Sequence, residues 1–269
     1  MLHFGQDQEG NMKIRNGFVS NSSSSSFVIA FPHKPESIDE VGRILFGERY
    51  GRNNLIRKEY YDDAYEGDIA ETIFRDIEKF VNSKHNLIKA IADEFHCRYY
   101  FEINSNTFDC DLGNRYHKWI GWDPKYYGND KKLLKKMEEA AIKEKERSDK
   151  AIKDHVAWDE KLCKKYNIQK VSYRDPRWDA YSAAIENARK KDNSYRKYRV
   201  KENEDSIDTW KEKDKLTSRM AKIDAKKFIK ENTGKCIVIL EHEDHNTVGA
   251  LIDHGNLFKH LEHVRICKH

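Results

Sequence analysis

The sequence predicts an α+β protein, with a small mixed sheet built from both chain ends, helices packed on it, and a long charged helical insertion between. Three observations predict it. Short β-branched and aromatic runs lie near both ends, Phe27-Val28-Ile29-Ala30-Phe31 and Cys236-Ile237-Val238-Ile239-Leu240. Apolar residues between them recur at helical spacing. Residues 131–232 hold 30 Lys+Arg against 20 Asp+Glu, a net +10, which leaves 20 against 26, or −6, for the rest.

The first strand is placed at Phe27–Phe31 because Pro32 ends the run and Asn16-Gly17 supplies a turn upstream. Ser22 to Ser26 then form a loop that leads into a buried strand. Helices are expected over 36–48 and 68–95, where Ile69, Ile73, Ile77 and Phe80, then Leu87, Ile88, Ile91 and Phe95, share one face across a break near Asn82-Ser83. Cys97 to Ile103 alternates and reads as a second strand, and Asn104 to Asp123 is polar and turn-rich.

From Asp130 to Tyr166 nearly every residue is a helix former, and Leu134, Met137, Ala141, Ile152, Trp158 and Leu162 follow a loose heptad. Asp175-Pro176 breaks the pattern, and Trp178, Tyr181, Ile185 and Ala188 restart it. Residues 130–232 therefore read as a projecting set of antiparallel helices, interrupted around Lys190 to Asp205. Gly234 punctuates, and the strand after it is apolar on both faces, which predicts a central position. A short helix from Thr247 to Gly255 and a last strand from His263 complete the reading. The organisation is thus an N-terminal part of the core (1–129), a basic insertion (130–232) and C-terminal strands (233–269).

With 269 residues, 38% of them apolar, the chain can bury a sizeable core, although 36% charge and a mean hydropathy of −0.93 demand long solvated helices. No run approaches the ~18 apolar residues a bilayer requires, and the first residues carry no basic-then-apolar leader, so a cytoplasmic protein is expected. Five scattered cysteines without a C-x-x-C pair read as free thiols.

The chemistry-bearing residues cluster at the two ends. Six of the twelve histidines fall in the last 28 residues, among Glu241, Glu243, Asp244 and Asp253. Imidazole and carboxylate are the usual ligands of zinc, manganese or iron. A set drawn from His242, His245 and His254 with Asp244 would hold such an ion, its bound water made acidic, and Glu241 or Asp244 would serve as general base. The same residues also read as surface and packing histidines. Ser22, Ser23, Ser24, Ser25 and Ser26 are bracketed by apolar anchors, and small residues with hydroxyls can converge on a phosphate or simply cap backbone groups. In the basic middle, Tyr195-Arg196-Lys197-Tyr198-Arg199 interleaves rings and cations as nucleic-acid surfaces do. No P-loop, dinucleotide fingerprint, H-E-x-x-H or zinc-finger spacing occurs.

The string from Lys13 to Val28, K-I-R-N-G-F-V-S-N-S-S-S-S-S-F-V, resembles the N-terminus of a group of bacteriophage and bacterial proteins. Asp253-His254-Gly255-Asn256-Leu257-Phe258, with His263-Val264-Arg265-Ile266 and His269, is similar to that group's closing segment. The resemblance covers about 40 residues and carries no activity. It implies a viral origin, a start at Met12 with residues 1–11 as an extension, and two ends that build one site. Two functions follow as expectations: a phage-type accessory enzyme with a metal-assisted hydrolytic site for a phosphate-bearing substrate, or a non-enzymatic protein binding a host protein or nucleic acid through residues 131–232.

Overall fold

The run Phe27–Phe31 is apolar on both faces of a strand, so it must be covered on both sides, and the architecture is the means of covering it. The computed structural model describes residues 24–56, 64–83, 86–104, 124–243 and 257–268. Strand β1 (Ser24–Phe31) lies at the centre of a three-stranded sheet, between β4 (Cys236–Glu243) and β5 (Glu262–Lys268), and pairs antiparallel with both. Alternate side chains then leave on opposite faces.

One face carries Val28, Ala30, Ile237, Val264 and Ile266. These pack on Ile91, Ala92 and Phe95 of α3 (Leu87–Asn104), on Leu133, Met137 and Ala141 of α4 (Lys131–Tyr166), and on Met220, Ala221, Ala225 and Phe228 of α6 (Asn193–Glu231). The other face carries Phe27, Ile29, Phe31, Val238 and Leu240. It meets Val41 and Leu45 of α1 (Ile38–Phe46) and Ile69, Ala70, Ile73 and Ile77 of α2 (Glu66–Asn82). Each Val, Leu, Ile, Phe or Met side chain among these contributes roughly 1.5–3 kcal/mol on burial.

Helix ends follow local chemistry. Ser37 caps α1 by accepting from the Glu40 amide at 3.2 Å, and Gly47, with φ of +82°, ends it. Asp130 caps α4 through the Leu133 amide, and Asn167 closes it in the left-handed conformation. A small two-stranded ribbon, β2 (Leu55–Ile56) with β3 (Ala64–Tyr65), precedes α2. Helix α5 (Trp178–Lys191) leads back from the far end of α4 into α6.

At about 1.5 Å per residue, the 36 residues of α4 and 39 of α6 span roughly 54 and 58 Å. They run antiparallel as an arm. Its shaft is tied by Arg147 donating to Ser206 at 3.0 Å, and its far end closes on Leu162, Cys163, Ile185, Ala188 and Tyr195. Its base is part of the core. Buried Asp224 accepts from the Gly128 and Asn129 amides and the Asn129 side chain (2.7 Å), while the buried phenol of Tyr126 donates to Glu262 at 2.6 Å. Burial and that carboxylate push the phenol's pKa up.

Four expectations are corrected. The sheet is wholly antiparallel rather than mixed. Strand β4 is at its edge and β1 at its centre, because helices on both sheet faces make even an edge strand apolar on both sides. Ser24 to Ser26 belong to β1, not to a loop. Residues 97–103 continue α3: Asn86 caps it through the Lys89 amide, and no Gly or Pro interrupts propagation to Asn104. The interruption expected around 190–205 narrows to Asp192, which ends α5 and caps α6 through the Tyr195 amide at 2.9 Å. The helix expected from Thr247 to Gly255 lies outside the described residues. No helix among the described residues is long and apolar enough to cross a membrane.

Candidate functional site

The antiparallel register brings the two chain ends together as the strand patterns require: Ser25 pairs with His242 and Ser26 with Glu241. Each pair occupies one face of the sheet. Ser26 is fully buried beside α3, and its hydroxyl donates to Glu94 at 2.5 Å. Ser25 and His242 lie on the α2 side, both buried. The His242 side chain is 9% exposed, and its Nε2 sits 3.6 Å from Asp76 without a hydrogen bond. Burial pushes the pKa of this imidazole down, against the opposing pull of Asp76. His242 is therefore neutral at neutral pH.

Beyond the edge of β4, a cleft of about 600 Å³ opens between α2 and α3, lined by Asp76, Lys79, Ser83, Asp93, Glu94 and the exposed Glu241, with Ile239 and Leu240 at its floor. It is acid-rich with one lysine. Among the described residues, no three of His, Cys, Asp or Glu gather closely enough to hold a metal ion. The expected partners Asp244, His245 and His254, and Ser22 and Ser23, lie outside the described residues. Ser24 is placed as a strand residue opposite Glu243. Neither the Ser25 nor the Ser26 hydroxyl is open to solvent, and Ser26 faces a carboxylate, which repels an anion.

The arm carries the other charged surface. Here the interleaved motif is corrected: Tyr195 and Tyr198 turn inward, packing edge-on or tilted against His155 and Trp158, and Arg199 binds His155 and Glu202. Burial, and then Arg199, hold the His155 pKa down. That motif welds α4 to α6. A different set faces outward. Lys215, Arg219, Lys222 and Lys226 stand on one face of α6 at 4-3-4 spacing, over about 16 Å, beside a groove of about 530 Å³ that Ser218 and Ile223 also line. No carboxylate of the described residues lies within ion-pair distance of any of the four. The sequence held the signal, cations at i, i+4, i+7 and i+11 with Leu216, Met220 and Ile223 between them, but not which face was outward.

Several other arm cations are neutralised locally. Lys165 pairs with Asp192, Arg189 with Asp159, Lys190 with Glu186, and Arg147 with Glu144 and Glu202. No protein-family model matches this chain, and no curated protein or solved structure matches it either.

Proposed function

We propose that this chain is a non-enzymatic nucleic-acid-binding protein, in a phage-type accessory role, which takes a phosphate backbone along the outer face of α6. The observation that carries this reading is the row Lys215, Arg219, Lys222 and Lys226, regularly spaced on one long helix and without a carboxylate partner among the described residues. Phosphate contacts release condensed counterions, so affinity must fall with salt by about 0.7 to 0.9 log units per log unit of salt for each contact. Replacing all four with Gln leaves the fold intact, because all four are exposed. The expected result, by fluorescence anisotropy with an oligonucleotide, is weaker binding and a salt slope shallower by about 3 units. Salt-independent binding, or an unchanged slope in the variant, sinks the reading.

A second reading, a metal-assisted hydrolase at the β4 edge, rests on the buried, unbonded His242 beside Asp76 and the acid-rich cleft. Glu241 would be its base, with Asp244, His245 and His254 completing the ligands. Metal analysis of tag-free protein tests it: zinc, manganese or iron near one per chain, lost in His242→Ala, supports it, and no metal uptake on titration counts against it.

A further inference from the structure

We infer that the far end of the arm is a stacking platform for unpaired bases, so that the nucleic acid this protein takes is single-stranded; the inference rests on the nucleic-acid reading above. Two independent observations lead there. The first is where the arm's charge sits. With the carboxylates that pair with its cations included, the tip, residues 159–192, holds nine Lys+Arg and six Asp+Glu, a net +3. Lys161, Lys164, Arg174 and Lys191 there have no carboxylate partner among the described residues, so the tip keeps a positive surface.

The second is an aromatic staircase at the turn between α4 and α5. The Tyr173 ring is 78% exposed and touches Trp178 edge-on, with centroids 5.3 Å apart, and Trp178 lies 5.5 Å from Tyr181. Trp178 and Tyr181 belong partly to the packing of the tip. Tyr173 does not, since an exposed ring gains little from the fold and leaves about 50 Å² or more of apolar face in water. Held against Trp178, it leaves most of its surface in water.

The tip also carries cations that a phosphate can meet. Arg174 follows it directly, and neither Arg174 nor Lys164 has a carboxylate partner among the described residues. Arg177 is instead neutralised by Asp175, to which it donates two hydrogen bonds, at 2.9 and 3.0 Å, so the charge open to phosphate is that of Arg174 and Lys164. A ring face flanked by cations suits a base with its adjoining phosphates, and only a strand with unpaired bases can offer that face. A duplex hides its base faces in its own stack. An acidic peptide could satisfy the cations but would leave Tyr173 unused.

The test compares a roughly 16-nucleotide single strand with the matching duplex, using the full chain and its Tyr173→Ala and Tyr173→Phe variants. Tyr173→Ala is expected to weaken single-strand binding about 5- to 100-fold, to leave duplex binding and the melting temperature unchanged, and to be rescued by Phe. Equal loss for strand and duplex, no loss, or displacement of the strand by poly-glutamate at equal charge overturns the inference. If the α6 row variant loses binding while Tyr173→Ala does not, the platform falls and nucleic-acid binding stands. If the unaltered chain binds no oligonucleotide, both fall.

Discussion

His242 illustrates how a single buried side chain links the fold to pH. Its folded pKa is depressed by burial, whereas an unfolded histidine titrates near 6.5. Below about 6.5 the unfolded chain takes up a proton at this position that the folded chain refuses. Stability is therefore full above about 6.5, falls as pH drops through the window down to the depressed pKa, and levels off below it. The neighbouring charge is Asp76 on α2, which softens the effect without reversing it. His155 shifts in the same direction for the same first cause, so it adds to the slope. In urea unfolding between about pH 7.5 and 5.5, His242→Asn is expected to lose less stability than the unaltered chain and to keep a remainder from His155. An identical pH dependence in the two proteins would show that residue 242 does not titrate with folding. The sequence marked this residue as one histidine in a cluster. It could not show that strand register would bury it, because burial depends on α2 lying over that face.

At the scale of elements, the readings that succeeded were those where one period dominated a long stretch. Ile69, Ile73, Ile77 and Phe80 give α2 without ambiguity, and the break at Asn82-Ser83 is real. The failure at 97–103 has the opposite cause. Tyr99, Tyr100 and Phe101 favour strands when taken alone, but propensity is a weak prior against a helix already nucleated ten residues earlier. Charge was misjudged for a related reason. The sequence counts every lysine and arginine alike, whereas pairing in space cancels many and leaves rows such as Lys215 to Lys226.

Asp192 is the element-scale hinge between α5 and α6. Its carboxylate accepts from the Tyr195 amide and from Lys165 at 2.6 Å, and those contacts hold its pKa down, the lysine first. Asp192→Asn keeps a good N-cap and loses only the charge, while Asp192→Ala loses both. Thermal melts should therefore rank the unaltered chain first, Asn second and Ala last. Equal melting temperatures for all three would mean that the α5–α6 join is set by the Leu162, Ile185 and Tyr195 packing instead.

At the scale of the whole molecule, the arm and the core cannot be separated at the boundaries that charge suggests. Residues 130 and 232 looked like the edges of an insertion, yet Leu133, Met137 and Ala141 at one base and Met220, Ala225 and Phe228 at the other complete one face of the sheet. Losing a large buried aliphatic or aromatic residue costs about 2–5 kcal/mol, and a domain has only about 5–15 to lose. Deleting 131–232 should therefore abolish cooperative unfolding, and any binding lost with it would say nothing about the arm. The informative cut lies farther out. Arg147 and Ser206 face each other across the shaft at 3.0 Å, so a turn of about 4 residues can join them. That shortened chain keeps the sheet, both cores and the α6 row, and it removes the tip with Tyr173. It is expected to melt in one transition, to bind oligonucleotides with a salt slope that still reports the α6 row, and to have lost its preference for single strands. A shortened chain that unfolds without cooperativity would place essential packing beyond Arg147. One that keeps the single-strand preference would place base recognition on the core side of the arm.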